Sequence, residues 1–247
     1  MIQCKWCLNY FEKLAKAHII PESFIKNYAG IEGRQYTVDG FSKSTKTGWY
    51  DTSINCQNCE KEFQSIDDKA IKILLKDFDQ IQIPPPFYLD GKICQIPKSY
   101  TQDLKRFFLY TLWKCSVSSL SEFDEIKLGS YEDIIKKVLI QNKTLSEDEF
   151  SFVSQFHQNP IGFSLPFKRK RKDYGGRSYY HLDLNIFGFD IKIDKQKAPD
   201  LWDTFSRFDT IVFLKYLKPP KRKVDGIKRI LEMNAAYEKS FKERMGR

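Results

Sequence analysis

The sequence predicts a mixed α+β fold, and three patterns along its 247 residues lead to that prediction. Two short Cys-x-x-Cys clips enclose residues 8–55 near the N-terminus. Apolar residues at helical spacing follow in the middle of the chain, and strict alternation of apolar and polar residues comes after them. Helices and strands are therefore expected in separate stretches, which is the mark of the α+β class.

The composition favours a folded protein in water. Hydrophobic residues make up 41% and aromatic residues 15% of the chain, and the mean hydropathy is −0.51. No apolar run approaches the roughly 20 residues that span a bilayer, and the N-terminus lacks the shape of a secretory signal. We therefore expect a cytoplasmic protein with no membrane contact.

The two clips predict a structural zinc site. Each clip presents two sulfurs to one ion from a tight turn, which suits tetrahedral Zn²⁺. Such an ion would tie the start of the chain to a point well downstream and fix the segment that contains His18. Disulfides or free thiols remain alternatives, although a Lys-rich chain without an export signal favours zinc. The predicted ligands are Cys4, Cys7, Cys56 and Cys59.

The elements of the first predicted domain, residues 1–80, follow from local signals. A short strand leads to His18, and a short helix is expected after Pro21. Residues 29–48 are rich in Gly, Ser, Thr and Lys, which predicts a loop or an irregular hairpin. A helix begins near Cys59 and runs towards Leu75. The order clip, strand, loop, clip and helix is typical of a ββα-metal or treble-clef unit.

The second predicted domain, residues 87–247, begins after a break at Pro84, Pro85 and Pro86. Residues 100–158 are predicted to be helical, with helices over 104–113 and 130–140 and a third that opens at the capping box Ser146–Glu149. Residues 161–214 are predicted to contain an antiparallel β-hairpin, because apolar residues alternate from Tyr180 to Ile193, and a further strand over 211–214. A basic helix over 224–244 ends the chain.

Positive charge is concentrated in two places. The formal net charge is +9, and residues 215–247 carry an excess of Lys and Arg. A second basic run precedes a Gly pair. Clustered cations of this kind indicate contact with nucleic-acid phosphates, although a solvated loop, a solvated helix face or a nuclear import signal would look similar. The predicted nucleic-acid-binding residues are Lys168, Arg169, Lys170, Arg171, Lys172 and Arg177.

The N-terminal quarter resembles the HNH endonuclease family, of the His-Me finger type with a four-cysteine zinc knuckle. The resemblance rests on the two clips, on Ala17-His18-Ile19-Ile20-Pro21, and on Glu60 directly after the second clip. In that family the histidine ending the first strand is the general base. Carried over, this implies that His18 is the base, that Asp51 takes the place of a family Asn, and that Glu60 takes the place of a metal-binding His or Asn. Ala17 replaces the usual Asp.

The resemblance implies a metal-dependent endonuclease that hydrolyses DNA, with RNA a weaker alternative. His18, Asp51 and Glu60 would form the catalytic site, with Mg²⁺ or Mn²⁺ held by the two carboxylates. By family analogy, the setting would be a prokaryotic antiviral or mobile-element system in which an ATPase is a candidate protein partner.

Each of these roles has a structural alternative. His18 would serve as a structural residue or a zinc ligand, Asp51 as a turn former, and Glu60 as a residue favoured by the helix dipole. The chain as a whole would then be a catalytically degenerate, zinc-stabilised nucleic-acid-binding or adaptor protein.

Overall fold

The computed structural model describes residues 1–26, 34–36, 42–44, 48–82, 93–141, 150–157, 168–173, 177–184, 187–197 and 212–216. Within these ranges the protein combines helices with small sheets that are mostly antiparallel, and the predicted mixed fold is confirmed at that level. The predicted basic helix over 224–244, the capping box at 146–149 and the break at 84–86 lie outside the described residues. No helix in the described ranges is both long and apolar enough to cross a bilayer.

The described residues of the N-terminal part form three short strand pairs and two helices. Strands β1 (Ile2–Gln3) and β2 (Tyr10–Phe11) form a hairpin around the first clip. Strand β3 (Ala17–His18) leads into helix α1 (Glu22–Lys26). Strands β4 (Arg34–Tyr36) and β5 (Ser42–Ser44) pair within the stretch predicted as a loop or an irregular hairpin. Strand β6 (Tyr50–Asp51) then returns to pair with β3, and helix α2 (Gln57–Ile71) follows the second clip.

The helical middle of the chain is built around one buried helix. A π-helical turn (Lys72–Lys76) and helix α3 (Phe78–Ile81) extend α2. Helix α4 (Lys98–Val117) covers the predicted helix over 104–113, and its residues are buried from Phe107 to Ser116, as expected for a core helix. Helix α5 (Tyr131–Ile140) covers the predicted helix over 130–140 and packs on α4. The buried faces of these helices explain why they form despite their limited intrinsic propensity.

Six strands of the described residues form the main sheet. They are β7 (Ile93–Gln95), β8 (Phe152–His157), β9 (Lys168–Asp173), β10 (Arg177–Leu184), β11 (Phe187–Lys192) and β12 (Val212–Tyr216). The spatial order is β7-β12-β8-β11-β10-β9, with one parallel pair between β12 and β8. Strands β10 and β11 are the predicted hairpin, and β12 confirms the strand expected at 211–214.

A third helix is predicted towards the end of the 100–158 stretch. This prediction is wrong for the part that the structure describes, because residues 152–157 form strand β8. Phe152 and Phe156 are four residues apart, and this spacing puts side chains on one face of a helix and also on one face of a strand. Phe152 packs on Phe108 at 5.9 Å and Phe156 on Phe78 at 4.8 Å, between ring centroids. Pairing with β11 and β12 therefore decides the conformation.

One buried cluster extends through both predicted domains. Trp6, inside the first clip, packs on Phe63 of α2 at 4.4 Å and on Trp113 of α4 at 4.9 Å. On the opposite side of the core, Phe78 packs on Phe187 and Phe213 of the sheet. Helix α4 thus forms a wall that the clips and the sheet share. The boundary between 1–80 and 87–247 stays a prediction from the sequence.

Candidate functional site

The four cysteines of the two clips form one compact group that could hold a metal ion. Their sulfur atoms all lie within 4.8 Å of one another, and the Sγ atoms of Cys7 and Cys56 are 3.9 Å apart. A tetrahedron with Zn–S bonds of about 2.3 Å has sulfur–sulfur edges of about 3.8 Å. All six cysteines of the chain are free thiols, so no disulfide competes for these sulfurs. The geometry is consistent with structural zinc.

The backbone of the first clip turns tightly enough to aim its sulfurs at one point. Leu8 adopts a φ of 64°, a left-handed conformation that non-glycine residues adopt mainly where a turn requires it. The Leu8 N–H donates to the Cys4 carbonyl at 2.9 Å, and the Cys4 N–H donates to the Asn9 carbonyl at 2.9 Å. The Cys56 N–H donates to the Cys4 sulfur at 3.2 Å and links the two clips.

The thiols ionise unequally in this environment. Burial opposes ionisation of Cys4, but hydrogen bonds from the backbone of Cys7, Cys56 and Trp6 outweigh it and lower the pKa of this thiol. Burial and the neighbouring sulfurs raise the pKa of Cys59 well above its ordinary value. A divalent cation would offset this crowding of sulfurs, because it stabilises each thiolate.

His18 lies at the end of β3 and shares a cleft with Gln57 and Glu60, which are next in sequence to the cysteines of the second clip. Antiparallel pairing sets His18 opposite Tyr50 and Ala17 opposite Asp51, and the Ile19 N–H donates to the Trp49 carbonyl at 2.9 Å. Because successive residues of a strand face opposite sides, Ala17 and Asp51 share one face while His18 and Tyr50 share the other. Ala17 is fully buried, so this position faces the core.

The imidazole of His18 is partly buried and incompletely hydrogen-bonded. Its Nε2 atom is inaccessible to solvent and has no hydrogen-bond partner among the residues that the structure describes. Burial lowers the pKa of this ring, and the charges of Lys16 and Lys114 add to that effect. Glu22 and Glu60 act in the opposite direction. The net result favours neutral imidazole near pH 7, which is the form that accepts a proton.

A cleft of about 440 Å³ opens beside His18, between β3, α1 and α2. Residues 57, 60, 64, 67 and 71 of α2 line it, and their spacing of three and four places them on one helical face. The cleft carries both signs of charge. Its charged lining residues are Lys16, Glu22, Glu60, Lys61, Asp67 and Asp68.

Glu60 is placed in the cleft by its position directly after the second clip. It lies in the first turn of α2, where the helix dipole favours a carboxylate. The side-chain amide of the fully buried Asn55 donates to Glu60 Oε2 at 2.9 Å, and the Asn55 amide nitrogen also lies 2.7 Å from the Tyr110 hydroxyl. The structure therefore brings two of the three predicted catalytic residues, His18 and Glu60, to the same cleft.

Asp51 lies elsewhere. Its carboxylate accepts five hydrogen bonds, at 2.6–3.0 Å, from Ser53, Ser118 and Ser119. It faces the side of the β3–β6 pair opposite to His18 and does not line the cleft. We therefore leave Asp51 out of the candidate site and assign it to the packing of β6 against the end of α4.

Two residues of the cleft region were missed by sequence reasoning. Asp67 follows Glu60 by two helical turns, a signal that the sequence contains. Burial raises the pKa of Asp67 to about 6, against the charge of Lys114. Lys114 lies 3.6 Å from Asp67 Oδ2, and no local pattern connects it to His18, 96 residues earlier in the chain.

The predicted nucleic-acid-binding residues lie on the sheet rather than in the cleft. Residues 168–172 belong to β9, and Arg177 begins β10 opposite Asp173. Among the described strands, β9 pairs only with β10, so it forms one edge of the sheet. The basic run is therefore a strand, not the loop that the sequence left open.

No family model, curated protein or solved structure matches the chain. The resemblance to HNH endonucleases consequently rests on the sequence alone, in the two clips, the segment 17–21 and Glu60.

Proposed function

We propose that this protein is a metal-dependent endonuclease of the HNH type that hydrolyses DNA phosphodiester bonds. The observation that carries the proposal is His18. Its imidazole is only partly buried, and it lines one cleft together with the carboxylates of Glu22 and Glu60. A proton acceptor beside two potential ligands of a hard divalent cation is the set of groups that hydrolysis of a phosphodiester requires.

His18 acts as the general base in this proposal. A neutral imidazole at the cleft would take a proton from the attacking water, and the lowered pKa keeps the ring neutral at physiological pH. Lys16 and Lys61 line the same cleft and would attract the phosphate.

The cysteine group supports the proposal as a structural zinc centre. The order β3, β6 and α2 around it agrees with a ββα-metal or treble-clef unit. Four sulfur ligands close the coordination sphere of such a zinc, so it would hold the frame and leave water activation to His18.

A hard divalent cation, Mg²⁺ or Mn²⁺, is the second metal of the proposal. Such a cation supplies charge stabilisation to the phosphate and the leaving oxygen when it is bound. Carboxylate oxygens are its preferred ligands, and Glu60 of α2 with Glu22 of α1 would hold it, because both line the cleft with His18. Asp51 has no role in this version of the site.

A plasmid-nicking assay tests the proposal. The purified protein should nick supercoiled DNA in Mg²⁺ or Mn²⁺, and His18→Ala should lower the rate by about 10² to 10⁴ while zinc content stays the same. His181→Ala is the matched control, because His181 lies on β10 beside Asp190 and not in the cleft. Absence of nicking with every divalent ion, or equal nicking by His18→Ala, would refute the proposal.

A second candidate function is nucleic-acid binding without catalysis. Two observations favour it. Ala17 is buried and has no carboxylate, and the carboxylate of Asp51 is occupied by hydrogen bonds outside the cleft. Of the three positions compared with the HNH family, only Glu60 then supplies a carboxylate to the cleft. This candidate requires that His18→Ala leaves DNA affinity unchanged and that the wild-type protein does not nick. The endonuclease is preferred because His18 shares its cleft with two carboxylates, Glu22 and Glu60, that suit a divalent cation.

A further inference from the structure

We propose that Lys114 is a positioning residue that holds the end of β3, where His18 lies, and the carboxylate of Asp67 at the wall of the cleft. The role in catalysis rests on the proposed function, since it requires His18 to be the base. The coupling of Lys114 to His18 and Asp67 does not rest on the proposed function, because it can be measured in a protein without nuclease activity.

Lys114 is an unusual residue for the interior of helix α4. Its side chain is 0% exposed, and lysine is almost never fully buried unless its charge is paired. Its ammonium donates to the His18 carbonyl at 2.7 Å, lies 3.6 Å from Asp67 Oδ2, and lies 4.5 Å from the centre of the Tyr110 ring. These three contacts satisfy the buried charge.

These contacts join three separate elements of the site. His18 belongs to β3, Asp67 to α2 and Lys114 to α4. Strand β3 has two residues, so its own ladder fixes it weakly. The hydrogen bond from Lys114 therefore adds a second anchor to the backbone of the residue whose ring lines the cleft.

The same network reaches the cysteine centre. Tyr110 lies beneath the Lys114 ammonium, and its hydroxyl lies 2.7 Å from the side-chain nitrogen of Asn55. Asn55 directly precedes Cys56 and also donates to Glu60. A continuous buried set of polar groups thus runs from the second clip, through α4, to the backbone of His18.

The charge of Lys114 also acts on the acid–base state of the cleft. Burial and the two cations Lys16 and Lys114 lower the pKa of His18, while Glu22 and Glu60 oppose them. Burial raises the pKa of Asp67 to about 6, and Lys114 limits that rise. The titratable or charged groups near His18 are Lys16 on the segment before β3, Tyr50 on β6, Glu22 on α1, Glu60 and Asp67 on α2, and Lys114 on α4.

A nuclear magnetic resonance titration of the wild-type protein is the first test. The Nζ resonance of Lys114 should show a slowly exchanging ammonium and should shift with the titration of Asp67, near pH 6. A Lys114 ammonium that exchanges freely with water, or that does not respond between about pH 5 and 7, would overturn the proposal.

Lys114→Met is the second test, since methionine keeps much of the length and removes the charge. We expect the pKa of His18 to rise and the pKa of Asp67 to rise above about 6. The kcat for DNA cleavage should fall about 100-fold with little change in KM, as for a misplaced catalytic group. An unchanged pKa of His18 in the folded variant would contradict the proposal.

Lys105→Met is the matched control. Lys105 is also buried on α4, but its ammonium lies over the Phe152 ring, 5.9 Å from the centroid, on the side of the sheet. This variant should leave both pKa values unchanged. If Lys114→Met fails to fold, Lys114→Met/Asp67→Asn leaves neither partner as an unpaired charge, and the pKa of His18 should be higher in it than in Asp67→Asn alone.

The two proposals fail separately. Loss of nicking in His18→Ala with no change of pKa in Lys114→Met would leave the endonuclease and remove the positioning role. A wild-type protein that does not nick DNA but shows both pKa changes would keep the network of Lys114 and remove its catalytic purpose.

Discussion

Asp51 occupies the β6 position opposite Ala17, one residue along from the pair formed by Tyr50 and His18. Its carboxylate is 3% exposed and accepts hydrogen bonds from the backbone N–H groups of Ser53 and Ser119 as well as from serine hydroxyls. Burial alone would raise the pKa of this carboxyl, but the hydrogen bonds outweigh burial and lower it. Asp51 is thus a structural acid next to the strand pair that carries His18.

We expect Asp51→Asn to destabilise the protein by about 2 to 3 kcal/mol near pH 7, because hydrogen bonds to a buried charge are removed. The folded-state pKa is depressed, so the wild-type advantage is complete above the unfolded pKa of about 3.9 and disappears as the pH falls through the folded value. Urea unfolding at about pH 7 and about pH 3 measures this difference. Equal stability of both proteins at neutral pH would contradict the assignment.

The sequence alone could identify the candidate site residues that lie in a short motif or directly beside one. The two clips identify their own ligand group, and Glu60 follows the second clip directly. The contacts of Asp51 with Ser118 and Ser119 join residues 67 and 68 positions apart, and Lys114 reaches His18 from 96 positions away. Long-range side-chain contacts of this kind leave no periodic signal, so no sequence pattern could remove Asp51 from the site or add Lys114 to it.

At the scale of elements, β9 combines a basic sequence with an edge position. Its run from Lys168 to Lys172 pairs on one side with β10, and no described strand pairs with its other side. Lysine-rich edge strands also prevent edge-to-edge aggregation. We propose that β9 contacts the nucleic-acid backbone, and protection against aggregation is the alternative.

Neutralising the five basic residues of β9 to Gln distinguishes these roles. If they bind phosphates, DNA affinity should fall, and the slope of log K against log[salt] should decrease by about 0.9 for each phosphate that the variant no longer neutralises. Lys72→Gln/Lys76→Gln, on the π-helical turn, removes two positive charges away from β9 and is the control for position, with the effects compared per charge removed. A variant that aggregates but binds DNA with the wild-type affinity and salt slope would assign β9 to protection of the sheet edge.

Elements differed in how well their patterns predicted them. Strands β10 and β11 alternate cleanly, and α5 shows one apolar stripe, so both were predicted correctly. The Phe152 and Phe156 spacing is compatible with helix and strand, and only pairing with β11 and β12 distinguishes them. Local pattern therefore predicted the type of most elements, while sheet order depends on contacts between distant strands.

At the scale of the whole molecule, helix α4 connects the cysteine centre, the cleft and the sheet. Tyr110 and Trp113 face Trp6 in the first clip. Lys114 contacts His18 and Asp67, which line the cleft, and Phe108 packs on Phe189 of β11 at 3.7 Å. Because one helix supports all three, loss of the metal should loosen the cleft as well as the clips. The sequence predicted the helix as buried but did not show which parts it joins.

The measurement that tests the zinc-held site most directly is X-ray absorption at the zinc edge of the purified protein. We expect one zinc per chain with four sulfur neighbours at about 2.3 Å, which leaves His18 free to act as a base. Cys56→Ser should break this shell, whereas His18→Ala should leave it intact. A shell that contains a nitrogen at about 2.0 Å and loses it in His18→Ala, or a protein without zinc, would contradict a four-sulfur zinc site that leaves His18 unligated.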